Sequence, residues 1–107
     1  MSDLERDIER YFVKCVQAVG GKAYKFVSPS NRGVSDRVVC FADGSTHFVE
    51  LKRPGGKLSP LQQRFASDMR EMNQNYACLW SKEDVDRWIC AHTSTLPPIS
   101  SSPMIGQ

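Results

Sequence analysis

The chain has 107 residues, 40% of them apolar and 24% charged, which suits one globular domain with a modest core. No apolar run approaches the roughly 20 residues that a membrane-spanning helix requires. The opening MSDLERDIER carries no apolar signal segment, so a protein of the cytoplasm is expected. The net charge of +2 is too small to mark a nucleic-acid binder by itself.

In chain order, residues 3–19 read as an amphipathic helix, with Leu4, Ile8, Tyr11, Phe12, Cys15 and Val19 at helical spacing. Ser2 is placed to cap it, with Glu5 in capping-box position, and Gly20-Gly21 ends it. A short strand follows over 23–27, then the turn-rich SPSNRG at 28–33, then a strand over 37–42. Asp43-Gly44 is a hairpin signal, so a strand over 46–52 returns antiparallel. RPGGK at 53–57 reads as a flexible basic loop. Ser59-Pro60 opens a second helix that ends near 73–75, with Leu61, Phe65 and Met72 facing one way. A strand over 76–80 and a helix from a Ser81 cap to about Ala91, with Val85 and Ile89 inward, complete the pattern. The order α-β-β-β-α-β-α predicts an α/β fold with a mixed sheet flanked by helices, its fourth strand joining after a helical crossover. Residues 1–92 form the expected domain. From residue 93 the text turns rich in Ser and Pro, which predicts a disordered tail over 93–107.

Cys15, Cys40, Cys78 and Cys90 form no C-x-x-C pair and read as reduced thiols packed as small hydrophobes. His47 and His92 are isolated in sequence. Tyr24, Trp80 and Trp88 read as core residues rather than base-stacking ones. The cations crowd the middle of the chain, among them Lys25, Arg32, Arg37, Arg53 and Lys57. Phosphate contacts need such a distribution, although a solvated surface would show it too.

The chemistry is concentrated between Gly33 and Lys52. Side chains alternate along a strand, so Glu50 and Lys52 share a face and Leu51 points away. The hairpin brings Asp36, at the start of one strand, beside Glu50, near the end of its neighbour. Two carboxylates held together repel, and a divalent cation resolves the conflict. Carboxylate, carbonyl and water oxygens suit Mg²⁺ or Mn²⁺. Such an ion activates water and steadies the charge on a phosphate under attack, and an ammonium alongside assists. Phosphodiester hydrolysis needs these parts. A solvated hairpin with a weak Glu-Lys ion pair is the plain alternative for E-x-K alone. Against it, Phe48, Val49 and Leu51 predict a strand buried on both faces, where unligated charge is costly.

The runs GVSDRVV at 33–39 and FVELKRPGGKLSPLQ at 48–62, with GGKAYKFVSP at 20–29 and SKEDVD at 81–86, together resemble the virus-type replication-repair nuclease (VRR-NUC) domain of the PD-(D/E)xK nuclease superfamily. The resemblance covers nearly all of the chain but the tail. One departure is Ser35, where the motif usually has proline before the aspartate.

The resemblance implies a metal-dependent DNA endonuclease. Asp36 and Glu50 would bind Mg²⁺ or Mn²⁺ with the Leu51 backbone carbonyl, Lys52 would be the catalytic lysine, and Gln62 would face the active site. A glutamate of the first helix would complete the metal site, either Glu5 or, one turn later, Glu9. Glu5 and Gln62 each also stand three residues after a serine, where a side chain closes a capping box. Lys25, Arg32, Arg37, Arg53 and Lys57 would form the phosphate-binding rim, or else be ordinary surface cations. Stand-alone domains of this kind are mostly encoded by phages and bacteria, and are associated with DNA repair and recombination. They act as homodimers on branched DNA, Holliday junctions above all. A flap, nicking or restriction-type nuclease, and a non-catalytic DNA-binding module, are the alternatives.

Overall fold

The computed structural model describes residues 3–93. Ser2 and the expected tail beyond Thr93 lie outside the described residues. Three helices and four strands follow in the expected order: α1 (Asp3–Ala18), β1 (Lys22–Lys25), β2 (Arg37–Cys40), β3 (Thr46–Leu51), α2 (Pro60–Glu71), β4 (Asn75–Leu79) and α3 (Lys82–Thr93). The sheet has the order β1-β2-β3-β4. The first three strands pair antiparallel, and β4 lies parallel to β3 after the α2 crossover. Among the described residues no helix is long and apolar enough to cross a membrane.

The two faces of the sheet are built differently. On one, Ile8, Phe12 and Val16 of α1, Val85 of α3, and Val39, Val49, Leu51 and Leu79 of the strands form the core, with Trp88 and Ile89 packed against it. The i, i+4, i+8 spacing of Ile8, Phe12 and Val16 is one helical stripe. Leu4, expected to lie on that stripe, is exposed, because the stripe reaches the sheet only from Ile8 onward. On the other face, Phe26 and Phe48 of the β1–β3 side meet Phe65 of α2, and Tyr76 of β4 meets Phe65 in turn.

Local chemistry explains the ends of the elements. The β2–β3 turn closes with the Gly44 N–H on the Phe41 carbonyl and the Ser45 N–H on the Asp43 carboxylate. Ser81 caps α3 by accepting from the Asp84 N–H, and the Asp84 carboxylate accepts from the Trp80 N–H. The basic segment after β3 is not a loose loop. Gly55 sits at a φ of 80°, in open space, as the third residue of a turn that the Gly56 N–H closes on the Arg53 carbonyl. The Trp80 indole N–H donates to the Gly56 carbonyl at 2.8 Å and ties this turn to the end of β4.

Several apolar residues expected inside are outside. Tyr24, Leu61, Met72 and Trp80 are all exposed. Tyr24 lies on the edge strand β1. Only Ala66 of α2 is fully buried, so this helix lies lightly on the sheet and leaves its Leu61 and Met72 ends in solvent. The four cysteines are free thiols; Cys90 is exposed, against the expectation that all pack as small hydrophobes.

Candidate active site

The β2–β3 ladder ends with Arg37 opposite Val49. The next β3 amide facing β2 belongs to Leu51, and the Asp36 carboxylate accepts it at 2.8 Å. The Asp36 carbonyl accepts from the Phe26 N–H at 3.0 Å, which continues the β1–β2 pairing through the aspartate. Ser35, in the place of the expected proline, is buried, with its hydroxyl on the Arg37 carbonyl. The approach to Asp36 is thus held by a hydrogen bond rather than by a ring.

Glu50 is 2% exposed. Burial, then the neighbouring Asp36 charge and a hydrogen bond with Asp36, push its carboxyl from an ordinary 4.5 up to about 8. Lys52 opposes that shift and Glu5 adds to it. Lys52 Nζ stands 3.8 Å from Glu50 Oε2, on the same face of the strand as the spacing predicts. Cys78 is the β4 partner of Glu50, and burial followed by the Glu50 charge pushes its thiol up to about 12. It is therefore a neutral neighbour.

Gln62 bonds in two directions. Its Oε1 accepts from the Ser59 N–H at 2.8 Å, while its own N–H donates to Ser59 Oγ, completing the capping box. Its Nε2 donates to Glu50 Oε2 at 3.2 Å. The cap takes the amide oxygen and so turns the amide nitrogen toward the acid.

The other candidates divide by face. Glu9 is buried, and Arg37 holds its Oε2 through Nε at 2.9 Å and Nη2 at 2.8 Å; Lys25 approaches it at 3.8 Å. Arg37 also donates to the Ala23 carbonyl. Arg37 and Lys25 therefore converge on Glu9 on the α1 side of the sheet, away from Asp36, Glu50 and Lys52. Glu5 lies close enough to influence Glu50 but is not gathered with the acid pair. Among the described residues no set of three or more His, Cys, Asp or Glu side chains is arranged to hold a metal. Arg53 and Lys57 are exposed on the turn beyond Lys52, and Arg32 is exposed in the loop before Asp36. Arg64 of α2, on the same side as Arg32, was not singled out by the sequence. Its only signal is its place two residues after Gln62.

No family model matches the chain. Over 60 residues it is 52% identical to a protein of Acyrthosiphon pisum secondary endosymbiont phage 1, named as a candidate nuclease, p44. The match takes in 56% of this chain and 64% of that relative, so the chain spans just under two thirds of the relative's length. A solved structure described as a VRR_NUC domain superposes with a TM-score of 0.78 at 27% identity, covering 82% of this chain and 96% of the other. Both likenesses support a VRR-NUC domain in this chain. Its mixed four-stranded sheet and three helices are consistent with the PD-(D/E)xK class of fold.

Proposed function

We propose that this VRR-NUC domain is a metal-dependent endonuclease that hydrolyses phosphodiester bonds in DNA. The observation that carries this reading is the pair Asp36 and Glu50. Two acids are pressed together, one of them almost wholly buried, with a single ammonium at 3.8 Å to offset them. Such an arrangement is costly unless a cation joins it. The donor set fits a hard ion. The two carboxylates supply oxygens, and the Leu51 carbonyl leaves β3 on the same edge as its N–H, toward Asp36. Hard oxygen donors select Mg²⁺ or Mn²⁺ over softer metals. Glu5 is the further acid on that side, whereas Glu9 is committed to Arg37. When bound, the ion supplies a water of lowered pKa and a counter-charge for the phosphate.

The chain's own residues do the rest. Asp36 and Glu50 would hold the cation, and Gln62 fixes the Glu50 carboxylate through its amide. Lys52, part-buried beside Glu50, holds its proton toward the attacked phosphate and stabilises the charge that grows there. Arg32, Arg53 and Lys57, on the loops that flank the acids, contact the DNA backbone. Lys25 and Arg37 lie on the α1 side and serve the fold through Glu9 before they serve DNA.

The substrate we propose is branched DNA, a four-way junction above all, cut by a homodimer in the cytoplasm of a phage-infected or bacterial host. A two-fold dimer presents two identical sites to a substrate of the same symmetry. The test incubates the protein with a four-way junction and a matched linear duplex, in Mg²⁺ or in EDTA. The junction is expected to be cut in Mg²⁺ and spared in EDTA, and Lys52→Ala and Asp36→Asn are expected to fold without cutting. Equal cutting of the duplex removes the junction preference. Parent-level cutting by Lys52→Ala overturns the mechanism.

A further inference from the structure

Between the loop before Asp36 and the Leu61–Asp68 stretch of α2 lies an open groove of about 610 Å³. That volume is in the range that holds a small ligand or a single nucleotide. Phe26 and Phe65 line it, with ring centroids 6.3 Å apart, and both pack on Phe48. Arg32 and Arg64 stand at its edge with Asn31 and Asp68. Among the described residues neither the Arg32 nor the Arg64 guanidinium has an ion-pair or hydrogen-bond partner. In this they differ from Arg37, Arg87 and Lys52, which are all engaged with acids.

Asp36, Glu50, Lys52 and Gln62 do not line the groove, but the residues that do are their neighbours in the chain and in the sheet. The Phe26 N–H is bonded to the Asp36 carbonyl. Phe48 precedes Glu50 by two residues on the same face of β3, about 6–7 Å along the strand. Gln62, which touches Glu50, follows Leu61 of the groove wall. A strand of DNA whose phosphate lies at the acids therefore places its neighbouring nucleotide over the aromatic rings.

We propose that this groove takes the base of an unpaired nucleotide next to the scissile phosphate. Aromatic rings offer a stacking surface that any base can use, and flanking cations hold its phosphates. Asp68 and the Asn31 amide offer an acceptor and donors for the edge of a base, which a bare phosphate site would not need. A base inside a duplex cannot reach such a surface without leaving its stack, and one in a flap or other single-stranded segment has already left it. The groove thus gives the proposed nuclease a physical reason to prefer DNA with an unpaired nucleotide, and this inference rests on that reading.

The test measures binding of the full chain in EDTA to two DNAs identical except that one base beside the expected cut is paired or unpaired. That base is replaced by the fluorescent analogue 2-aminopurine. The parent is expected to bind the unpaired form more tightly and to change its fluorescence. Arg64→Ala is expected to lower the unpaired-to-paired affinity ratio at least five-fold. Phe65→Leu keeps an apolar side chain in place but removes the ring, and is expected to abolish the fluorescence change. An affinity ratio unmoved by Arg64→Ala, or a fluorescence change that survives Phe65→Leu, overturns the groove. Cleavage of either DNA by the parent in Mg²⁺ is scored separately. If the parent cuts while the ratio is unmoved, the groove falls alone; if it neither cuts nor binds, the nuclease reading falls with it.

Discussion

A buried carboxyl beside another acid keeps its proton far beyond the pH at which a free glutamic acid loses it. In the unfolded chain Glu50 ionises near its ordinary 4.5, and in the fold only near 8. Between those values the folded state binds more protons than the unfolded one, so the metal-free protein loses stability as pH rises from about 5 to 8. Below that window both states are protonated and the penalty vanishes. Glu50→Gln should flatten this slope and stabilise the metal-free protein at pH 8 by on the order of 1–3 kcal/mol, as denaturant titrations at pH 5 and pH 8 would read. On the proposed mechanism Lys52 acts on the reaction more than on the fold. Lys52→Ala should cost about 10²-fold or more in cleavage rate with little change in thermal midpoint. Gln62 separates its two duties by substitution. Gln62→Glu keeps the acceptor of the capping box but sets a third carboxylate against Glu50. Helix stability should hold while nuclease activity falls at least ten-fold, whereas Gln62→Ala should lose about 1 kcal/mol as well.

At the scale of elements, β3 matters most, since it carries the core on one face and the acids on the other. Its reading from sequence was sound because alternation of side chains is a local property. Boundaries shifted by no more than a few residues, and Glu50 and Lys52 fell on the expected face. The orientation of α2 was less legible. Leu61 and Met72 look like core residues in a helical pattern, yet only the Phe65–Ala66 portion meets the sheet, and no local rule reveals where a crossover helix touches down. The Glu9–Arg37 ion pair was equally hidden, because its partners lie 28 residues apart. Without it, Glu9 and Glu5 look alike. The loop before Asp36 adds a test of its own. Gly33 has a φ of 86°, and a Cβ there would lie 2.5 Å from the Leu61 backbone. Gly33→Ala should therefore destabilise by about 1–3 kcal/mol and displace Asp36 from the Leu51 amide, which calorimetry and an activity assay would show together.

The whole molecule keeps its main core and the Asp36–Glu50 pair on opposite faces of one sheet. Phe12, 0% exposed between α1 and α3, belongs to the first side. Phe12→Ala should cost about 3–5 kcal/mol, seen as a drop in denaturation midpoint. On the other side α2 contributes one fully buried residue and holds the acids through one amide. A helix so lightly moored opens more readily than the body of the protein. Its backbone amides should exchange with deuterated water well before those of α1, and adding Mg²⁺ should slow them through Gln62. The wall that α2 gives to the proposed nucleotide groove is then its least anchored part, and the width of that groove is set by how firmly one amide and one alanine moor a helix.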